Sequence, residues 1–229
     1  MTEPMVISLG GSTFVKEQID TKFLREFKRI VLGQAKRRKV FIYVGGGATA
    51  RKYQEALLKL GADQDAADWI GIHVTRLNAR LMKTAFGKIV EEKIIEDPTR
   101  KVSSRKPIVF AAGWKPGWST DYDAVLLAEN VGAKFVVNLT NVDYVYDRDP
   151  NKFKDAKAFR TLTWQQYKQI IGGKWTPGLH TPFDPVAARE AAKAKIRVAI
   201  INGSKLKEFE SFLKGRPFKG TLIRSSPIV

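Results

Sequence analysis

The chain has 229 residues, which suits one large domain or two small ones. It has no cysteine, which fits a reducing compartment and excludes a fold held together by disulfides. No apolar stretch approaches the roughly 18 residues of a membrane span, and the N-terminus MTEPMVISLGGS lacks the features of a signal peptide, so we expect a soluble cytoplasmic protein without a membrane partner. Forty lysine and arginine residues against 23 aspartate and glutamate residues give a formal net charge of +17, which favours an anionic partner.

Short apolar runs alternate with longer amphipathic segments. The order is MVISL, TKFLREFKRIVLGQAKR, VFIYV and ATARKYQEALLKLG, and it continues through WIGIHVTRLNARLMKTAFG, PIVFAAG, TDYDAVLLAENVG, FVVNLTN, PVAAREAAKAK and IRVAIING. Strands that alternate with helices are typical of a parallel or mixed sheet flanked by helices. The pattern predicts one α/β domain over residues 1–229, a three-layer α/β/α sandwich with a mainly parallel central sheet.

Two irregular stretches interrupt this pattern, Glu96–Pro107 and Gly172–Pro185. Both are rich in the residues that form loops. The second also carries aromatic residues and His180. We interpret it as a candidate lid over a site.

Three glycine-rich turns each follow a predicted strand. They are ISLGGS, with Gly10, Gly11 and Ser12; YVGGGATAR, with Gly45, Gly46, Gly47 and Arg51; and FAAGWKPGWSTD, with Gly113, Gly117, Thr120 and Asp121. In open α/β sheets ligands bind outside the carboxyl ends of the strands, where such turns lie. A glycine there also commonly serves only to let the chain turn, so each turn taken alone is a weak signal.

The second turn predicts an oxyanion site. Backbone N–H groups of glycines, followed by a helix N-terminus, favour bound phosphate. Arg51, one turn into the helix, can hold the same anion through two hydrogen bonds. The spacings of the dinucleotide-binding fingerprint and of the P-loop are both missing from these turns.

Acidic and aromatic residues cluster at matching places. Asp68, Asp121 and Asp184 precede or open predicted helices, and the stretch NLTNVDYVYDRDP places Asn141, Asp143, Tyr146 and Asp149 after a strand. An aromatic ring among polar groups can receive adenine. The alternative for Asp143 is a local turn in which its carboxylate binds backbone groups, and both interpretations stay open.

Several of these stretches together resemble the amino acid kinase superfamily and, within it, are similar to the archaeal-type uridylate kinases. The matching segments are ISLGGS, VGGGATARKY, DWIGIHVTRLNARLM, PGWSTDYDAVLLAE, VVNLTNVDYVYDRDP and FDPVAAREAAKAKIRVAIING, from about Val6 to Gly203. The resemblance implies a three-layer α/β/α fold, transfer of the γ-phosphoryl group of ATP to UMP with Mg²⁺ in pyrimidine nucleotide biosynthesis, and a homohexamer. It places the phosphate acceptor on about residues 1–135 and ATP on about residues 136–229.

The resemblance also implies roles for individual residues. Its catalytic candidates are Asp121, Asp184 and Arg51; its UMP-binding candidates are Gly45, Gly46, Gly47, Arg51, Asp68, Thr120 and Asp121; and its ATP-binding candidates are Gly10, Gly11, Ser12, Thr140, Asn141, Tyr146 and Asp149. Phosphoryl transfer depends mainly on positioning and charge neutralisation, so no residue need act as a strong base.

The chain departs from the family pattern at several positions. Ser8 stands where many members carry a lysine, and the candidates to supply a cation instead are Lys16, Lys115 and Lys174. Tyr144 replaces an expected glycine. Trp114 and Trp118 stand in the third glycine turn, where we interpret them as packing or lid contacts with base stacking as the alternative.

Other residue types indicate less. His73 and His180 are the two histidines, and they lack the spacing of a metal site. We therefore expect no dedicated metal ligands, with Mg²⁺ held mostly by phosphates and water and by one aspartate at most.

Alternative functions remain. The positive charge is dispersed, with one dense run at Lys36–Lys39, and dispersed charge is more typical of a solvated surface than of a nucleic-acid site. The alternatives are another phosphotransferase of the same fold, acting on isopentenyl phosphate or a carboxylate or carbamate, and a protein that binds nucleotides or RNA without catalysis. Arg51 and the STD turn favour a phosphate acceptor.

Overall fold

The fold is seen in a computed structural model that describes residues 2–150, 152–172 and 181–225. The strands in these ranges are β1 (Thr2–Leu9), β2 (Arg38–Val44), β3 (Ile108–Ala111), β4 (Phe135–Thr140), β5 (Val145–Tyr146), β6 (Ala158–Phe159), β7 (Thr161–Thr163), β8 (Arg197–Asn202) and β9 (Thr221–Arg224). The α-helices are α1 (Thr21–Ala35), α2 (Gly47–Lys59), α3 (Gln64–Phe86), α4 (Thr120–Asn130), α5 (Trp164–Ile171), α6 (Pro185–Lys193) and α7 (Leu206–Leu213). A short 3₁₀ turn follows β1 at Gly11–Thr13.

Seven strands form one sheet in the order β3-β2-β1-β4-β8-β9-β7. All neighbours in it are parallel except β8 and β9, which are antiparallel. Strands β5 and β6 form a separate two-stranded hairpin. The predicted mainly parallel sheet is confirmed.

Apolar side chains cover both faces of the large sheet, because its strands are buried on both sides. One face packs against α1, the C-terminal half of α3 and α7, through side chains such as Phe27, Met82 and Phe209. The other face packs against α4, α5 and α6, through side chains such as Val125 and Tyr167. This arrangement is the predicted three-layer sandwich.

The strand order places a crevice at the carboxyl end of β1. The chain leaves β1 for β2 and β3 on one side and returns as β4 on the other side. Such a reversal is where open α/β sheets bind ligands. The glycine turns that follow β1 and β2 therefore meet at this edge.

Helix α3 begins at Gln64, so Asp68 lies inside the helix and the prediction that it precedes the helix is wrong. No helix or strand forms in Glu96–Pro107, as the loop prediction requires. Most of the candidate lid, including Lys174 and His180, lies outside the described residues. Among the described helices, none has both the length and the apolar character needed to cross a bilayer.

Candidate functional site

The turns after β1 and β2 pack backbone against backbone. A Cβ atom on Gly11 would lie 2.1 Å from Gly47 N and 2.7 Å from Gly45 O. Gly47 has φ +68°, which an L side chain rarely adopts. The glycines are therefore required by the meeting of two strand ends, a reason that comes from packing rather than from a ligand.

Two further contacts hold the turns in place. Asn78 of α3 donates from Nδ2 to Gly45 O at 2.9 Å and to Gly46 O at 3.1 Å. Gly10 N donates to Leu139 O at 2.8 Å, which ties the first turn to β4. Gly10 and Gly11 thus lie between the second glycine turn and the end of β4.

Helix α2 begins at this junction without a side-chain cap, because its N-cap residue is Gly46. The N–H groups of a first helical turn have no partner within the helix and carry partial positive charge. The N-terminus of α2 is therefore suited to bind an anion.

A cleft of about 600 Å³ opens at the start of α2, and we call it the glycine cleft. Its walls are α2, with Gly46, Gly47, Arg51 and Gln54; α3, with Asp68, Gly71, Ile72 and Thr75; and the segment 113–120, with Gly113, Lys115, Gly117, Trp118 and Thr120. Five of the predicted acceptor residues thus line one cleft: Gly46, Gly47, Arg51, Asp68 and Thr120. Gly45 and Asp121 are not among the residues that line it.

Asp68 connects two walls of the glycine cleft. Its Oδ2 accepts from Gly117 N at 2.9 Å, and its Oδ1 accepts from Gln64 Nε2 at 2.8 Å. Gly117 has φ +81°, so the glycine permits the turn that presents this N–H. The carboxylate fixes the segment 113–120 relative to α3.

Asp121, in the first turn of α4, lies at the crevice between β1 and β4. Its Oδ1 accepts from Ser8 Oγ at 2.9 Å and its Oδ2 accepts from Asp184 N at 3.3 Å. Burial raises the pKa of Asp121 to about 6; the Ser8 hydrogen bond opposes that rise, and the charge of Asp184 adds to it. Ser8, which is 2% exposed, thus donates to Asp121 at the position where the resemblance predicts a lysine.

Asp184 forms the N-cap of α6. Its Oδ1 accepts from Val186 N and Ala187 N, both at 2.7 Å. The preceding residue, Phe183, is held through its backbone N–H and C=O by the buried Tyr167 hydroxyl. Asp121 and Asp184 are therefore brought together by rigid elements 63 residues apart in the chain.

Asp123 is a buried acid, 1% exposed, to which the sequence analysis gave no role. Its Oδ2 accepts from Trp114 N at 3.1 Å, whereas Oδ1 and the nearby Tyr43 hydroxyl are buried without a hydrogen-bond partner in the described part of the chain. Burial raises the pKa of Asp123 to about 7, against the Trp114 hydrogen bond. The signal that could have identified Asp123 is the helical periodicity of α4, which places this acid on the buried face of the helix.

Of the cations predicted to replace the lysine, Lys115 lies in the glycine cleft and Lys16 does not. Lys115 lines the glycine cleft, with Nζ 4.0 Å from the centre of the Trp114 ring. Lys16 is an exposed residue of the chain after the 3₁₀ turn and is not part of the cleft lining. Trp118 also lines the cleft and stacks on Tyr122, with ring centres 4.3 Å apart.

The predicted ATP-binding residues follow β4. Thr140 ends β4 beside Gly10, since a Cβ on Gly10 would lie 3.7 Å from Thr140 Cα. Asn141 follows it, and Tyr146 lies in β5. Asp149 ends the same loop, where its carbonyl oxygen accepts from Lys152 N and Phe153 N.

Asp143 has partners beyond its own turn. It binds Lys205 Nζ at 2.6 Å and Asn202 Nδ2 at 2.7 Å. The Lys205 hydrogen bond lowers the pKa of Asp143. Asp143 thus links this loop to the end of β8, which differs from the local-turn interpretation; the adenine interpretation stays a prediction.

A larger cleft, of about 780 Å³, lies beside β3 and the loop before it. Its lining includes oppositely charged side chains that pair with each other, as in Arg76–Glu96 at 3.2 Å and Arg100–Asp97 at 3.1 Å. None of the three glycine turns lines it. Size alone would select this cleft, but the convergence of helix N-termini and strand ends selects the glycine cleft.

The donor set at the crevice suits a metal ion that arrives with phosphates. The described residues hold no group of three or more potential metal-ligating side chains. Asp121 and Asp184 lie together at the strand ends, and Mg²⁺ commonly takes one or two carboxylates with phosphate oxygens and water. These residues fit Mg²⁺ bound in that way.

Comparisons with known proteins agree on one family for this chain. The model of the family described as amino acid kinase matches residues 3–202. A uridylate kinase of Methanobrevibacter smithii is 36% identical over 202 residues, covering 87% of this chain and 89% of that protein. One from Thermoplasma volcanium is 36% identical over 220 residues, covering 95% and 96%.

Solved structures agree. The crystal structure of uridylate kinase from Archaeoglobus fulgidus superposes with a TM-score of 0.82 at 33% identity, covering 96% of this chain and 99% of that one. UMP kinase from Ureaplasma parvum superposes with a TM-score of 0.81 at 20% identity, a level that supports the fold alone.

Proposed function

The chain belongs to the amino acid kinase family, and on that premise we propose that it transfers the γ-phosphoryl group of ATP to UMP, giving ADP and UDP in pyrimidine nucleotide synthesis. The observation that carries the proposal is the glycine cleft, where an uncapped helix N-terminus, an arginine and an aspartate converge. The uridylate kinase relatives, which match nearly the whole chain, name the acceptor.

The glycine cleft would hold UMP. The N–H groups at the start of α2 and the exposed Arg51 guanidinium are suited to its phosphate. Thr120, at the start of α4, offers a hydroxyl and a second helix N-terminus. Asp68 would accept from a ribose hydroxyl while it keeps its bond to Gly117 N.

The reaction centre would lie at the crevice between β1 and β4, at Asp121. The acceptor phosphate oxygen attacks the γ-phosphorus in line as the bond to the bridging oxygen breaks, and such a loose transition state needs positioning and charge neutralisation. Asp121 and Asp184 orient the ends of α4 and α6. Asp121 or Asp184 would hold Mg²⁺, which would supply positive charge to the phosphates.

ATP would occupy the β4 side of the crevice, on about residues 136–229, with the acceptor on about residues 1–135. Gly10, Gly11 and Ser12 would lie along its phosphates, because the Gly10–Gly11 turn separates the glycine cleft from the end of β4. Thr140, Asn141, Tyr146 and Asp149 would line its nucleoside.

Two observations weigh against the alternative functions. A carboxylate or carbamate acceptor would not need both the uncapped α2 terminus and Arg51, which suit a doubly charged phosphate. Asp68, held at the cleft wall, suits a hydroxylated acceptor better than the apolar chain of isopentenyl phosphate. The assay below distinguishes a kinase from a protein that binds nucleotides or RNA without catalysis.

The test is release of ADP from ATP and Mg²⁺ with UMP, CMP, AMP or isopentenyl phosphate as acceptor. We expect turnover with UMP, and we expect Arg51→Ala to raise the KM for UMP about ten-fold to a hundred-fold, the range of a lost charge-assisted hydrogen bond, with the KM for ATP unchanged. Lys52→Ala, at the adjacent exposed position, is the matched control. ATP binding without turnover of any acceptor would contradict the proposal.

Assembly and location follow from the same proposal. We expect a cytoplasmic enzyme that assembles as a homohexamer. Light scattering coupled to size-exclusion chromatography measures the assembly, and a monomeric mass of 25.7 kDa would contradict the hexamer.

A further inference from the structure

Lys115 combines three properties that point to a ligand. It lies in the glycine cleft, its ammonium group is held over the Trp114 ring at 4.0 Å and within 5.8 Å of the Trp118 ring, and no carboxylate or hydrogen-bond acceptor contacts Nζ in the described part of the chain. A cation–π contact orients a lysine but leaves its N–H donors unused. The Lys115 side chain is exposed, so its oriented N–H donors are open to a ligand in the glycine cleft.

The phosphate end of the cleft does not need this cation. The N-termini of α2 and α4 and the guanidinium of Arg51 already face that end. Lys115, which also lines the glycine cleft, is thus available to another part of the acceptor.

The backbone around Lys115 is held on both sides. Trp114 N donates to Asp123 at 3.1 Å, and Gly117 N donates to Asp68 at 2.9 Å. Gly113 N donates to Thr75 Oγ1 at 2.8 Å. These bonds anchor the segment to α3 and α4, so the side chain of Lys115 extends from a fixed support, as a selective contact requires.

We propose that Lys115 is a specificity-determining residue that donates a hydrogen bond to a carbonyl oxygen of the acceptor base and so favours uracil over cytosine. The inference rests on the proposed function, in which phosphate lies at α2 and ribose at Asp68, leaving Lys115 and Trp118 for the base. A lysine ammonium donates and cannot accept. Uracil presents a carbonyl oxygen where cytosine presents an amino donor, so cytosine leaves the ammonium unpaired.

Trp118 completes the contact. It is 38% exposed and lines the cleft, and its ring is held parallel to that of Tyr122, with an interplanar angle of 17°. A fixed indole face offers a surface on which any base stacks without regard to identity. Stacking therefore supplies affinity, and the Lys115 ammonium supplies the choice between pyrimidines.

The test compares kcat/KM for UMP and CMP in wild type, Lys115→Met and Lys115→Arg, with Lys207→Met, on the exposed face of α7, as control. We expect the UMP-to-CMP ratio to fall at least about ten-fold in Lys115→Met, the range of one lost charge-assisted hydrogen bond. Lys115→Arg should keep most of the ratio, and the KM for ATP should stay unchanged throughout.

Each other outcome overturns the inference. Equal loss for UMP and CMP assigns Lys115 to the phosphate, and an unchanged ratio makes it a solvated cation. If Lys115→Met unfolds at a lower temperature than wild type, Lys115→Gln decides. Its amide both donates and accepts and so pairs with either base; the UMP-to-CMP ratio should fall as expected for Lys115→Met, and an unchanged ratio overturns the inference. A wild-type protein that turns over neither nucleotide overturns the proposed function, whereas an active but unselective one overturns this inference alone.

Discussion

At the scale of single residues, buried polar groups lie at the edge of the sheet where the strands end and the candidate site is located. Ser8, Asp123 and Asp184 are each at most 9% exposed, and each is bonded to a backbone or side chain that forms the site. Buried carboxylates cost free energy unless they are paired or protonated. The fold tolerates that cost where it positions the segment 113–120 and α4.

Asp123 should make the protein less stable as pH rises. Burial raises the pKa of Asp123 from its ordinary value of 3.8 to about 7 in the folded chain, so folding favours the protonated form and stability is lost between about pH 4 and pH 7. The full difference corresponds to about 4 kcal/mol. Asp123→Asn keeps an acceptor for Trp114 N and adds a donor towards Tyr43.

We therefore expect Asp123→Asn to raise the free energy of unfolding at pH 8 and to change it little at pH 4. Urea unfolding followed by circular dichroism at pH 4, 6 and 8 measures this. Asp65→Asn, in the exposed first turn of α3, is the control and should show no such pH dependence. A difference between Asp123→Asn and wild type that stays constant with pH would contradict the assigned pKa.

At the scale of elements, the site depends on how closely strand ends approach. The turns after β1 and β2 touch through their backbones at Gly11 and Gly47. Asn78, a buried polar residue within α3, satisfies the carbonyl groups of Gly45 and Gly46. A helix that crosses these turns thus fixes the N-terminus of α2, and with it the anion site.

Gly11→Ala and Gly33→Ala should have opposite effects. The new Cβ on Gly11 would lie 2.1 Å from Gly47 N, a backbone atom, so we expect a loss of about 3 kcal/mol or more together with weaker UMP binding. Gly33, inside α1, has nothing within 4 Å of its Cβ position. Alanine there should stabilise the protein by about 0.5–1 kcal/mol.

Thermal and urea unfolding of the two variants measure this contrast. Equal destabilisation of both variants would show that the Gly11 effect is a general cost of replacing glycine, and the close approach of the two turns would then be wrong.

At the scale of the whole molecule, the net charge of +17 acts against the compact state through self-repulsion. The ion pairs in the described residues are mostly exposed, such as Lys193–Glu190 and Arg148–Asp155, and exposed pairs contribute little. Dispersed positive charge thus serves solubility and attracts anionic nucleotides.

Salt should therefore stabilise this protein. We expect the thermal midpoint to rise as NaCl increases from 20 to 300 mM. Added salt shortens the Debye length to about 10 Å or less, and this screening weakens the repulsion between exposed lysines and arginines. Differential scanning calorimetry at constant pH measures it. A falling midpoint would mean that attractive surface pairs outweigh the repulsion.

The sequence by itself determined the types and order of most elements. Apolar periodicity is a local property, so the strands VFIYV and FVVNLTN and the helices of ATARKYQEALLKLG and PVAAREAAKAK were predictable from neighbouring residues. The short strands β5, β6, β7 and β9 and the helices α5 and α7 were missed. The strands carry too few residues for a clear period, and pairing with distant strands stabilises them.

Tertiary structure decided which of the predicted residues meet. Ser8 and Asp121 are 113 residues apart, and Asp68 and Gly117 are 49 apart; both contacts depend on the strand order and on the crossing of α3, which no local pattern encodes. The same is true of the buried Asp123, the donor at Asn78 and the position of Lys115 in the glycine cleft. Local sequence specifies what each segment can form, whereas long-range packing determines which groups lose water and face one another.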